Sequence, residues 1–127
     1  MSGNGRRPIV LCVDDEPPIL SALRRALRRE PYELLTTERP REALAWIEAV
    51  EIDLVISDQR MPEMLGTELI AEVRRRSPHT CVAILTGYPG SNLGAPGIGP
   101  GIAPLIHKPW EDDGLKETIR RFLAPTA

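Results

Sequence analysis

The sequence predicts an α/β fold built around a five-stranded parallel sheet, and three observations carry that expectation. Short apolar runs alternate with helical patterns five times along the chain, as a succession of βαβ units requires. Those runs are continuously apolar rather than alternating, the signature of strands covered on both faces. A chain of 127 residues, 42% apolar and 27% charged, has the composition of one globular domain, not of a disordered segment.

The elements follow in order. Ile9 to Val13 is the first strand, and Pro17 and Pro18 open a helix at the position where a missing N–H costs little. Leu20, Leu23 and Leu27 recur at i, i+3 and i+7 and give that helix one apolar stripe opposite its arginines. Tyr32 to Thr37 reads as the second strand. Pro40 begins the next helix, with Ala43, Leu44, Ile47 and Val50 expected inward and Trp46 near its edge. Asp53 to Ser57 is the third strand and runs directly into Asp58. After Gly66 a third helix turns Leu69, Ile70 and Val73 inward and stops before Pro78. Cys81 to Leu85 is the fourth strand and Leu105 to His107 a short fifth. Leu115, Ile119, Phe122 and Leu123 then mark a closing helix. Residues 1–8 are expected to be flexible and 9–124 to form the domain.

One stretch departs from this alternation. Ten of the eighteen residues from Gly87 to Pro104 are Gly or Pro. A helix is due there, yet Gly costs about 1 kcal/mol and Pro about 3 kcal/mol relative to Ala inside one. The expectation for 87–104 is irregular backbone in place of a fourth helix. It is either a loop without special role, a dedicated partner site, or an exchange region for a homodimer.

Composition removes several classes of function. A net charge of −2 gives no broad attraction to DNA or to an anionic membrane. The arginine runs (Arg24-Arg25, Arg28-Arg29 and Arg74 to Arg76) read as solvated helix faces. No segment approaches the ~20 apolar residues of a membrane span, and no apolar signal core follows Arg6-Arg7. Cys12 and Cys81 lie in apolar runs without metal-site spacing, so two buried thiols in a reducing, cytoplasmic setting are expected. No helix-turn-helix pattern follows the closing helix, and no nucleic acid or membrane partner is expected.

In an open parallel sheet, ligands bind at the carboxyl ends of the strands. Four of the five predicted strands end in residues of chemical use: Asp14-Asp15-Glu16, Asp58, Thr86-Gly87 and Lys108-Pro109. With the flavodoxin-like order 2-1-3-4-5, the first and third strands are neighbours and three carboxylates converge. Two like charges 4 Å apart cost roughly 4 kcal/mol at an effective dielectric near 20. Protonation, a lysine or a divalent cation must offset that repulsion, and an oxygen-rich site suits Mg²⁺ best. A carboxylate nucleophile, a metal, a lysine and a hydroxyl are the parts phosphoryl transfer needs. Each residue has a plainer reading alone: Asp14 and Asp15 as helix caps, Asp58 as a turn cap, Lys108 as a surface charge, Thr86 as loop chemistry. Their joint arrival at successive strand ends favours the site.

With those positions in place the chain resembles the response-regulator receiver family of two-component signalling. The matching motifs are Val13 to Glu16, Ile56 to Pro62, Gly66, Leu85 to Gly87, and Lys108-Pro109-Trp110. The resemblance implies a doubly wound (βα)₅ fold and phosphorylation on Asp58 by a histidine kinase or phosphotransfer protein, with Mg²⁺ as cofactor and an effector protein downstream. It implies Asp15, Asp58 and the backbone carbonyl of Arg60 as metal ligands, Asp14 acting through water, and Thr86 and Lys108 on the phosphoryl oxygens. Gln59-Arg60 and the Lys-Pro-Trp ending are similar to receivers found beside cyclic-dinucleotide phosphodiesterase domains or in hybrid kinases.

Two departures from the family stand out. Leu105 occupies the position where an aromatic switch residue is usual, and the Gly/Pro-rich stretch stands where the fourth helix belongs. Two other functions therefore remain in play. A phosphorylation-independent binding module would account for the departures but has no use for a self-repelling acidic cluster. An aspartate-nucleophile phosphatase would carry Asp-x-Asp after its first strand, which this chain lacks.

Overall fold

A computed structural model of the protein describes residues 7–87 and 103–124. The elements are β1 (Ile9–Val13), α1 (Pro17–Leu27), β2 (Glu33–Thr37), α2 (Pro40–Ala49), β3 (Leu54–Asp58), α3 (Gly66–Arg76), β4 (Cys81–Thr86), β5 (Leu105–His107) and α4 (Asp112–Leu123). All pairings are parallel, in the order β2-β1-β3-β4-β5. The predicted sheet order is the observed one. The proposed replacement of a helix by residues 87–104 falls mostly on 88–102, outside the described residues, as do residues 1–6 of the expected flexible N-terminus. Arg7 and Pro8 are tied to the start of β2, through Arg7 Nη2 to the Tyr32 carbonyl (3.0 Å) and Glu33 N–H to the Pro8 carbonyl (2.9 Å).

Successive residues of a strand face opposite sides of the sheet, and here the two sides build two separate cores. Leu11, Val13, Val55, Val82 and Ile84 pack against Ala43, Leu44 and Ile47 of α2 and Leu69, Ile70 and Val73 of α3. Val10, Cys12, Leu54, Ile56, Ala83 and Leu85 pack against Leu20, Leu23 and Leu27 of α1 and Leu115 and Ile119 of α4. The chain is thus doubly wound. The three central strands are almost wholly buried while β2 and β5, at the edges, are only partly so. That difference is why the central runs are uninterruptedly apolar.

Four expectations are corrected. Val50 was expected inward but is 36% exposed. α2 ends at Ala49, and Val50 turns to φ −138°, ψ 163°, leaving the helical face. Cys12 is buried, but Cys81 is only partly so, because it opens β4 near the molecular edge. Asp53 stands just outside β3; its carboxylate accepts the Ile9 N–H at 2.8 Å and so bridges the starts of β3 and β1. Tyr32 likewise precedes β2, held in the core by its ring. The arginines of α1 and α3 are exposed, as solvated faces should be.

Candidate functional site

The site forms where β1, β3, β4 and β5 end. Register sets its geometry: Val13 pairs with Ser57, so Asp14 and Asp58 leave adjacent strands side by side. Asp58 pairs with Leu85, and Thr86 with His107, which brings Thr86 and Lys108 to the same edge. The backbone reinforces this: the Lys108 N–H donates to the Thr86 carbonyl at 2.6 Å, and the Asp14 N–H to the Thr37 carbonyl at 3.1 Å.

Asp14, Asp15 and Asp58 each offer a carboxylate oxygen, all within 4.8 Å of one another. Lys108 Nζ lies 3.2 Å from Asp58 Oδ1 as a hydrogen-bond donor and 3.0 Å from Asp14 Oδ2. Asp14 Oδ2 is sealed from solvent and has no partner in hydrogen-bonding geometry, so its contact with the ammonium is one of charge. Its other oxygen, Oδ1, accepts the Glu16 N–H at 2.9 Å. The helix-cap reading of these aspartates fails, since the N-cap of α1 is Glu16 and no side chain caps it.

One lysine cannot balance three carboxylates. Burial, and next the charge of Asp14, push the Asp58 carboxyl up to about 6, against which Lys108 pulls it down. Burial also works against the Lys108 ammonium, but Asp14 and Asp58 together outweigh it and hold its pKa above the ordinary value. The residual negative charge, confined to three converging oxygens, fits a hard divalent cation that accepts oxygen ligands. A cleft of about 430 Å³ opens over the cluster, lined by Asp15, Glu16, Asp58, Gln59, Arg60, Thr86, Gly87 and Lys108.

Every predicted site residue lies at or next to this cleft except Leu105. Thr86 is buried at the end of β4 and Gly87 is exposed beside it. The Lys108–Pro109 peptide is cis, and Pro109 turns the chain towards α4. Leu105 pairs with Ile84 and leans against the α2–α3 core instead. Two residues given no role from sequence also belong here. Glu16 places a carboxylate oxygen 3.8 Å from Lys108 Nζ. Gln59 is buried, its backbone carbonyl accepting the Gly66 N–H (2.9 Å) and its side-chain oxygen the Thr67 N–H (3.0 Å). Only the path of the loop brings positions eight apart together, and no sequence signal announces it.

The profile of the response regulator receiver domain matches residues 10–120, nearly the whole described chain. The chain belongs to this family. As a receiver domain it is 37% identical over 117 residues to the hydrogenase transcriptional regulatory protein HoxA of Cupriavidus necator, covering 91% of this chain and 24% of that protein. It is 35% identical over 118 residues to the transcriptional regulatory protein GlrR of Escherichia coli K12, covering 93% and 27%. The receiver thus spans about a quarter of the length of these relatives. Among solved structures it is similar to the signal receiver domain of an HD domain-containing protein from Pseudomonas fluorescens, with a TM-score of 0.83, 36% identity and coverage of 93% and 95%. It is also similar to the response regulator TrrA of Thermotoga maritima in complex with Mg²⁺-BeF, with a TM-score of 0.77, 33% identity and coverage of 91% and 98%.

Proposed function

We propose that this receiver domain accepts a phosphoryl group on Asp58 from a histidine kinase or phosphotransfer protein in a Mg²⁺-dependent reaction, and passes the change to an effector protein as a cytoplasmic signalling switch. The observation that carries this reading is the under-neutralised cluster of Asp14, Asp15 and Asp58 with Lys108 bound to the would-be nucleophile. Mg²⁺ bound at Asp15, Asp58 and the Arg60 carbonyl, with Asp14 acting through water, would supply charge neutralisation and orient the phosphoryl oxygens. Membership of the family and the similar TrrA structure in complex with Mg²⁺-BeF support a Mg²⁺ site at the acidic cluster.

The chain's own residues account for the rest. Asp58 Oδ attacks phosphorus, an O–P bond forms as the N–P bond to the donor imidazole breaks, and the imidazole departs. The Lys108 ammonium, already 3.2 Å from Asp58 Oδ1, is placed to follow the charge onto the phosphoryl oxygens. Thr86, which also lines the cleft, would donate its hydroxyl to another phosphoryl oxygen. We read the domain as a phosphoryl acceptor that promotes its own transfer and hydrolysis, not as an enzyme acting on others. The relatives named as transcriptional regulatory proteins are about four times as long as the stretch matched here.

Intact mass after incubation with acetyl phosphate and Mg²⁺ tests the reading. One phosphoryl adduct is expected on the wild type and none on Asp58→Asn or without metal. Equal labelling of the mutant would refute the assignment. No adduct under any condition would favour a phosphorylation-independent binding module, the reading that the leucine at position 105 supports.

A further inference from the structure

Gln59 follows the acceptor aspartate directly, and only 3% of its surface is exposed. A buried primary amide must find partners, because each unpaired polar atom is costly away from water. Those partners lie at the start of α3. The Gln59 backbone carbonyl accepts the Gly66 N–H at 2.9 Å and its side-chain Oε1 accepts the Thr67 N–H at 3.0 Å, while Nε2 lies 3.5 Å from Thr67 Oγ1. The first N–H groups of a helix have no partner within the helix. The N-cap position of α3 is Leu65, whose side chain cannot accept a hydrogen bond. Gln59 therefore serves as a cap supplied from six residues before the cap position, and it closes residues 59–67 into a ring that begins one residue after the nucleophile. Arg60, which lines the cleft, is the next residue inside that ring.

We infer that Gln59 is a positioning residue for the metal site: its amide, fastened to the Thr67 N–H, holds the loop after Asp58 in the path that presents the Arg60 backbone to the acidic cluster. This inference rests on the proposed Mg²⁺ site. Gln59 touches neither metal nor phosphoryl group and acts through the loop. Glu68 secures the far end of the same ring by accepting the Leu65 N–H at 2.8 Å.

Isothermal titration of folded protein with MgCl₂ at neutral pH tests this, comparing wild type, Gln59→Leu and Gln59→Glu. Gln59→Leu keeps approximate volume and loses the acceptor; Gln59→Glu keeps an acceptor oxygen for the Thr67 N–H. Residues that orient metal ligands typically contribute about 10–100-fold in affinity, and for a single loop carbonyl we expect the low end, about tenfold weaker binding in Gln59→Leu. Gln59→Glu is expected to bind at least as tightly as wild type. Amide exchange at Thr67 should accelerate in the leucine variant and stay slow in the glutamate variant. A purely structural role would lower the melting temperature of Gln59→Leu but leave the Mg²⁺ affinity of the folded protein at the wild-type value, which would overturn the inference. If Gln59→Leu does not fold, Gln59→Ser, short enough to admit water at the vacated amide, carries the same expectation. Wild-type protein that fails to bind Mg²⁺ would sink the proposed metal site itself; wild-type binding matched by the leucine and serine variants would sink only the role of Gln59.

Discussion

At the scale of single residues, the site is an electrostatic conflict that the fold maintains. Asp58 is held at a pKa of about 6, above the 3.8 of a free aspartate, first by burial and then by Asp14. The folded state therefore binds the Asp58 proton more tightly than the unfolded state does. Its contribution to stability is fully present below about pH 4 and is lost as pH rises through about 6. Metal-free wild type should thus lose on the order of 2 kcal/mol between pH 4 and 7 from this group, as read by urea denaturation. Asp58→Asn removes the conflict, so it should flatten that part of the pH profile and melt higher than wild type at pH 7 without divalent metal. Mg²⁺ should raise the melting temperature of wild type and leave that of the mutant nearly unchanged, since a ligand stabilises only the state that binds it. Asp14, Asp58, Thr86 and Lys108 were legible in the sequence because a parallel sheet delivers the last residue of each strand to one edge. Gln59 was not, because its contacts depend on where the loop after β3 travels.

At the scale of elements, the entry into α3 is tightly constrained. A Cβ on Gly66 would stand 2.4 Å from the Asp58 carbonyl oxygen and 3.0 Å from Gln59 Cα, both backbone atoms that cannot swing aside. The helix start is pressed directly onto the strand end that carries the nucleophile, and the Ser57 hydroxyl also donates to that carbonyl, at 2.8 Å. Gly66→Ala should therefore cost about 1–3 kcal/mol, against a helix propensity that by itself favours alanine. Chemical denaturation would measure it; a neutral or stabilising result would mean that α3 can move off β3. The sequence showed a glycine at a helix start but not that its missing Cβ is the contact. Helix ends were legible to within a residue or so where proline marks them, at Pro17, Pro40 and Pro78. The exit of α2 has no such mark, and there the 3.6-residue period carried the inward expectation one residue too far, onto Val50.

At the scale of the whole molecule, the sheet order and both helical layers were legible, because continuous apolar strands between amphipathic helices admit little else. What periodicity could not supply was the division of labour between layers, α2 with α3 on one side and α1 with α4 on the other. The two thiols offer a test of cohesion across that division. Cys12 lies in the central strand β1, and its burial pushes its pKa up to about 12. Cys81 sits at the edge, partly exposed, its pKa also raised first by burial. A thiol reagent at pH 8 should modify Cys81 slowly in the folded protein and Cys12 only at the rate of global opening. Peptide mapping showing Cys12 modified as fast as Cys81 would mean that β1 opens independently. Among the described residues, no helix is long and apolar enough to cross a membrane.

The acidic cluster draws on chain that leads to both sides of the sheet. Asp14 and Asp15 lead into α1 on one side, whereas Asp58 leads through its loop into α3 on the other. A cation held by those carboxylates would touch the segments leading into α1 and into α3 together. A change of charge at a point a few ångströms wide would therefore bear on the segments that lead into both helical layers at once.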